Sequence, residues 1–369
     1  MQKRLMRICG ILLLTATLTG ADVPAQRYSN TIAQATAYIT NFMAVQNVAG
    51  LSIALAESNN IVWAQGFGYA DREAGIPVST GTVFRIGSVS KVFTTTAVLK
   101  LVEDAGVELD APVTDYIPEF ATLPRFTNDP PITVRMLLDH QSGLPGDIFH
   151  NMFTTEPMPG VLDWMIAYLR RDYPAYPPLF VSVYCNSGFV LAEGIVRAAA
   201  GMPFTDYAQT GVFGPLGMLH SSFLNDRPEI NDHLAHPYRN GERVPDEYIG
   251  GYGTGGMLSS MPDLIRYLRM VNYDGMLEGV RYLQTNSLAE MTADTSTNCP
   301  LNVTTSWLSG LGWDFVRRHE LDYAGPAWIK SGGTLGYTAY IATLPDQKLS
   351  LAVAINSRAD DLFSLTINT

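Results

Sequence analysis

Three short stretches hold side chains whose types and spacing could do chemistry. The first is Phe84-Arg85-Ile86-Gly87-Ser88-Val89-Ser90-Lys91, the one place in this 369-residue chain where a lysine follows a serine by three. After it Val92, Phe93, Val98, Leu99 and Val102 recur at helical spacing, and Gly106 can stop the helix. Ser88 and Lys91 then fall on one face, about one turn apart. A serine hydroxyl is a poor nucleophile until a neighbour takes its proton. An amine can do so if burial or a nearby cation keeps it partly neutral. The helix start adds N–H groups where an oxyanion could form. This is the chemistry of acyl transfer through serine.

The second stretch is Tyr184-Cys185-Asn186-Ser187-Gly188, ahead of an apolar helix from Phe189 to Ala200. On an extended loop, Tyr184 and Asn186 point to the same side. A phenol beside a cationic lysine can relay a proton, and a carboxamide can bind an amide. The third is Lys330-Ser331-Gly332-Gly333. Its lysine and hydroxyl could hold an anionic group, and its glycines would let another backbone approach closely. Taken singly, each stretch also has a plain structural reading: a helix start with a solvated lysine, a buried Tyr beside a turn-forming Asn, an ordinary strand entry.

The elements that must position these groups can be traced along the chain. Tyr28 to Gln46 has a helical apolar stripe of Ile32, Ala35, Ile39, Phe42 and Met43. Leu51–Glu57 and Ile61–Tyr69 read as strands of a hairpin turning at Ser58-Asn59-Asn60. Tyr337–Leu344 and Lys348–Asn356 form a second hairpin around Pro345-Asp346-Gln347. Between them, Asp110 to about Asp246 is rich in proline, helices and loops, including a helix from Ile132 that ends in the glycine-rich turn Gln141–Asp147. Strands at both ends around a helical middle predict one antiparallel sheet built from both chain ends, with a helical region inserted.

Hydrophobic residues make up 47% and charged residues 16%, which suits an ample globular core. A formal net charge of −11 argues against nucleic acid or an anionic membrane surface as the main partner. Lys3, Arg4 and Arg7, the apolar run Ile8–Leu18 and the small residues after it read as a signal peptide over 1–25, with cleavage after Ala21 or Ala25. The protein is therefore expected to be exported, periplasmic or secreted, or membrane-tethered if the signal is not cleaved. Cys185 and Cys299 would remain in the mature chain, where two separate buried thiols are expected rather than a disulfide. His233 and His236 have helical i, i+3 spacing but a loop context and no third ligand, so no metal is expected, and no cofactor motif appears.

The three motifs in this order make the chain resemble the penicillin-recognising serine hydrolases: class C β-lactamases, DD-peptidases and related esterases. The likeness spans nearly the whole mature length, including Phe84–Ser88, Leu138–Leu144, Tyr184–Leu191, Gly214–Met218, Gly255–Ser260 and Gly332–Tyr340. It implies an α/β fold of the α+β type, an antiparallel sheet flanked by helices, over about 26–105 and 247–369. A helical region over about 106–246 and a cleft between the two complete a single catalytic domain, 26–369. By the same likeness Ser88 is the nucleophile, and Lys91 and Tyr184 share the proton transfers. Asn186 binds a substrate amide, and Lys330 and Ser331 support the tyrosine and meet a substrate carboxylate. Gly332 and Gly333 lie along the substrate, and the N–H groups of Ser88 and Gly333 form the oxyanion hole. The turn Leu138–Pro145 resembles that of peptidases and esterases. Lys330 stands where many esterase relatives have His or Trp, which points back to peptides or lactams. The substrate expected is a small molecule or a peptidoglycan-type D-amino-acid peptide. An ester, a β-lactam, or acylation without turnover are the alternatives.

Overall fold

Large and small apolar residues alternate along the central strands, and this alternation decides what packs on each side of the sheet. The computed structural model describes residues 27–147, 152–224, 227–301 and 308–359. The chain opens with α1 (Ser29–Val45), β1 (Gly50–Glu57), β2 (Asn60–Asp71) and β3 (Ile76–Pro77). It continues through β4 (Val83–Arg85) into α2 (Ser90–Glu103), then α3 (Val161–Leu169) and α4 (Asn186–Ala200). It returns through β5 (Leu258–Ser260), α5 (Met261–Asn272), β6 (Trp328–Gly333), β7 (Thr338–Leu344) and β8 (Leu349–Ile355).

The six-stranded sheet runs β6-β7-β8-β1-β2-β3 and is antiparallel throughout. Its centre is the pairing of β1 with β8, in register from Leu51 opposite Ile355 to Glu57 opposite Leu349. The two chain ends thus meet in the middle of the sheet, as the paired hairpins predict. Leu51, Ile53, Val353 and Ile355 point to one face and pack with Ile39 and Phe42 of α1. Ala54, Ala56, Ala339, Ala352 and Ala354 line the other, where their small side chains let α5 settle closely on β1, β7 and β8. Alternation with period two produces this division.

α5 begins with the Ser260 hydroxyl accepting from Asp263 N, followed by Pro262 in the first turn, and it buries Leu264, Ile265, Leu268 and Val271. α2 is buried almost all round, as expected of an interior helix. Its three consecutive threonines are weak helix formers, but Thr94 and Thr96 bond the carbonyls of Ser90 and Val92 one turn back. Thr94 also donates to Gly253 O, tying α2 to the segment before β5.

Among the described residues of the middle region, regular structure is mostly helical, and its strands are two-residue pairs such as Phe153–Thr154 with Tyr248–Ile249. Cys185 and Cys299 are both free and buried, in agreement with separate thiols. His236 faces Asp71 and Asp246, His233 lies edge-on to His220, and no metal-binding group forms among the described residues. The expected signal peptide lies outside the described residues.

Candidate active site

Ser88 stands in a single 3-10 turn, Gly87–Val89, that leads directly into α2. Gly87 holds φ +51° there, and a methyl group on it would come within 2.7 Å of Gly333 N. On the facing strand end, a Cβ at Gly332 would lie 2.0 Å from Ile86 O and 2.9 Å from Ser88 N. The serine turn and the end of β6 are therefore packed backbone against backbone, which glycine at 87 and 332 permits. Ser90 locks the turn from inside, its hydroxyl donating to Gly87 O at 2.6 Å and accepting from Met257 N at 3.0 Å.

One turn along α2, Lys91 is completely buried. Its Nζ donates to Thr254 O at 2.6 Å, to Asn186 Oδ1 at 2.7 Å, to Thr254 Oγ1 at 3.1 Å and to Ser88 Oγ at 3.3 Å. Burial, and then the nearby charge of Lys330, lower its affinity for a proton well below that of an ordinary lysine. An amine in that condition is neutral part of the time and can accept the Ser88 proton.

Asn186 is the first residue of α4, not part of an extended loop as the sequence suggested, because the Cys185 sulfur caps the helix by accepting from Gly188 N. Besides receiving the Lys91 ammonium, Asn186 donates to Asp147 Oδ1 at 2.5 Å. Its carboxamide is thus a bridge from the lysine to the turn 139–147. Tyr184 lies just before this helix. Its ring is 4.8 Å from Lys91 Nζ and 5.1 Å from Lys330 Nζ, which places the phenol beside the serine–lysine pair. Burial and then the charge of Asp314 push its phenol well above the ordinary range, so it rests protonated.

Lys330 was expected to support Tyr184 and to meet a substrate carboxylate. It lies 5.1 Å from the Tyr184 ring, is 1% exposed, and its Nζ donates to Asp314 Oδ1 at 2.5 Å. The other oxygen of Asp314 accepts from Ser331 N at 2.9 Å and Ser331 Oγ at 2.7 Å. Asp314 thus fixes the Lys330-Ser331 pair from behind β6 and neutralises the lysine in place. A cation nearer the open end of this strand is Arg358, which donates to Thr334 O and passes 3.5 Å from where a Gly333 side chain would begin.

The structure brings together Ser88, Lys91, Tyr184, Asn186, Lys330, Ser331, Gly332 and Gly333 from three distant parts of the chain. Sequence reasoning missed Asp314, Thr254, Asp147 and the role of His140 beneath Tyr184. Asp147 and His140 lie in the turn the sequence singled out, and Thr254 directly precedes Gly255-Gly256. Asp314 follows a buried tryptophan in an irregular segment and carries no pattern of its own.

A serine at a helix entrance, touched by a desolvated amine that itself lies beside a phenol, in a helix-flanked antiparallel sheet, defines a serine hydrolase. The chain belongs to the Beta-lactamase family, whose model matches residues 35–366. It is 28% identical over 304 residues to penicillin-binding protein 4 of Amycolatopsis lactamdurans, covering 78% of this chain and 76% of that one. It is 31% identical over 212 residues to esterase EstB of Burkholderia gladioli, covering 54% and 53%. An octameric penicillin-binding protein homologue from Pyrococcus abyssi superposes with a TM-score of 0.78 at 27% identity, over 92% of this chain and 78% of that one.

Proposed function

We propose that the protein is an exported hydrolase that forms an acyl-enzyme at Ser88 from a small amide, a D-amino-acid peptide. The observation that carries this reading is the fully buried Lys91 amine in contact with the Ser88 hydroxyl. Ser88 Oγ attacks the scissile carbonyl while its proton passes into the Lys91–Tyr184 pair. The N–H groups of Ser88 and Gly333 receive the oxyanion. Tyr184 returns the proton to the leaving amine as the C–N bond breaks, and Asn186 keeps the Lys91 amine aligned. Water then attacks the ester, releasing acid and free Ser88. Export rests on the basic and apolar N-terminus, and the peptide assignment rests on likeness to penicillin-binding proteins. Arg358, rather than Lys330, is the cation that would meet a carboxylate beside the scissile bond.

A carboxylesterase is the second reading, and the Lys330–Asp314 pair favours it, because the motif lysine brings no net charge for an anionic leaving group. Intact-mass labelling with a fluorophosphonate and with a penicillin, followed over time, tests the nucleophile. One adduct at Ser88, abolished in Ser88→Ala, is expected; near-normal turnover by Ser88→Ala would sink the mechanism. The kcat/KM values for an acyl-D-Ala-D-Ala peptide and a nitrophenyl ester then separate the substrates. Cleavage of the ester alone identifies an esterase, and a penicillin adduct that persists without product identifies a sensor that acylates without turnover.

A further inference from the structure

We propose that His140 is the positioning residue for Tyr184, a proposal that rests on the reading of Tyr184 as a proton carrier. His140 ends the Val134–Leu138 helix turn two residues on and is itself 5% exposed, with a left-handed backbone at φ +64°. Three of its contacts fall on Tyr184 and the residues on either side of it. Its carbonyl accepts from Val183 N at 3.0 Å, and its Nδ1 accepts from Cys185 N at 3.1 Å. Its ring packs at a tilt against the Tyr184 ring, centroids 4.5 Å apart and planes at 38°, and lies 5.4 Å from the Phe189 ring. One residue therefore grips the peptide on each side of Tyr184 and backs its ring. The phenol swings only about its own side-chain bonds, and these are hemmed in by His140 behind and the Nζ atoms of the two lysines beside it.

The grip requires Nδ1 to be an acceptor, so the imidazole proton must sit on Nε2. Burial first, and then the charges of Lys91 and Lys330, keep the ring neutral, and the Cys185 N–H on Nδ1 engages the lone pair that only the neutral ring has. Asp139, the preceding residue, the Cys185 thiol and Asp147, which accepts from Asn186, are the other titratable groups at this turn, and burial biases Asp139 and the thiol towards their uncharged forms. Positioning by a buried neutral imidazole is a different task from proton transfer. His140 is not placed to touch the reacting atoms.

Two variants separate the contacts without straining the backbone, since glycine and asparagine both accept a left-handed conformation. His140→Asn keeps an acceptor at the δ1 position, and His140→Gly removes acceptor and ring together. With a nitrophenyl ester, His140→Gly should lose about 10- to 100-fold in kcat with KM within about threefold, while His140→Asn recovers to within about fivefold of wild type. In a Tyr184→Phe background, His140→Gly should cost less than about twofold more. Equal damage by Asn and Gly, an unchanged kcat in the Gly variant, or an undiminished loss in the Tyr184→Phe background would each overturn the proposal. If Tyr184→Phe alone leaves kcat intact, the proton-carrier reading fails instead. Should the glycine variant not fold, nitrogen NMR of histidine-labelled wild type decides: His140 Nδ1 must remain unprotonated from about pH 6 to about pH 8, and a proton found there overturns the grip.

Discussion

At the scale of single residues, the site is governed by desolvation. Lys91 and Lys330 are both buried beside Tyr184, but their surroundings differ. Lys330 has a carboxylate in contact, whereas Lys91 is held by neutral oxygens from Asn186, Thr254 and Ser88. The first is held in an ion pair and the second has a lowered affinity for its proton, so the two lysines have different chemistry despite lying on either side of one ring. Lys91→Ala and Tyr184→Phe should each lower kcat by about 10²-fold or more, with a double variant losing less than the product of the two. Steady-state kinetics of the four forms checks this; fully multiplicative losses would mean that the groups act separately. Lys330→Ala should act differently, because it strands Asp314 as an unpaired buried carboxylate. A loss of about 3–5 kcal/mol in unfolding free energy is the scale for breaking such a pair. Denaturant unfolding measures it, and a stable Lys330→Ala with only KM raised would restore the direct substrate contact first expected.

At the scale of elements, the turn 139–147 is held by groups that water cannot reach. Asp139 is 1% exposed, and burial raises its carboxyl to about 7. Glu193 on α4, which accepts from Gly253 N at 3.0 Å, is likewise raised to about 7. A carboxyl that holds its proton more tightly when folded favours folding most below its unfolded value, near 4, and loses that contribution as pH rises through about 7. Unfolding free energy should therefore decline between about pH 4 and about pH 7, and Asp139→Asn should flatten part of that slope and gain stability on the order of 1–3 kcal/mol at about pH 8. Thermal or urea unfolding across this range is the check; an unaltered slope in Asp139→Asn would show that the ionised carboxylate is better accommodated than its burial implies. The same elements show what sequence can carry. α1, the β1–β2 and β7–β8 hairpins and the start of α2 were legible because periodicity reports which face is buried. α5 was not read from the sequence, and the β4–β5 pair, Val83–Arg85 with Leu258–Ser260, fell in noted stretches but was not read as strands, since three residues are too few for an alternation to show. Ser88, Lys91 and Tyr184 could be named because each sits in a motif. Asp314 could not, since its importance lies in meeting β6 from a segment with no regular structure, a relation that exists only after folding.

For the whole molecule, the two cysteines give a direct measurement. Both thiols are buried, and each is raised to about 11, so neither is a ready thiolate at neutral pH. Native protein should resist iodoacetamide and show the same intact mass with and without reductant, whereas urea should expose both thiols to alkylation; a mass gain of about two protons on reduction would reveal a disulfide. A wider consequence follows from the strand order. β1 lies between β2 and β8, so the central pairing joins residues near 51 to residues near 355. A growing or emerging chain can make the β1–β2 hairpin early, but that hairpin has an open edge until nearly the last described residues arrive. The β6 strand that closes on the serine turn is also late. Folding of this sheet is thus governed by contacts of very long sequence separation, which are slow to form and leave hydrophobic edges exposed meanwhile. A holding chaperone, or a delay in folding until the whole chain is available, suits such a topology.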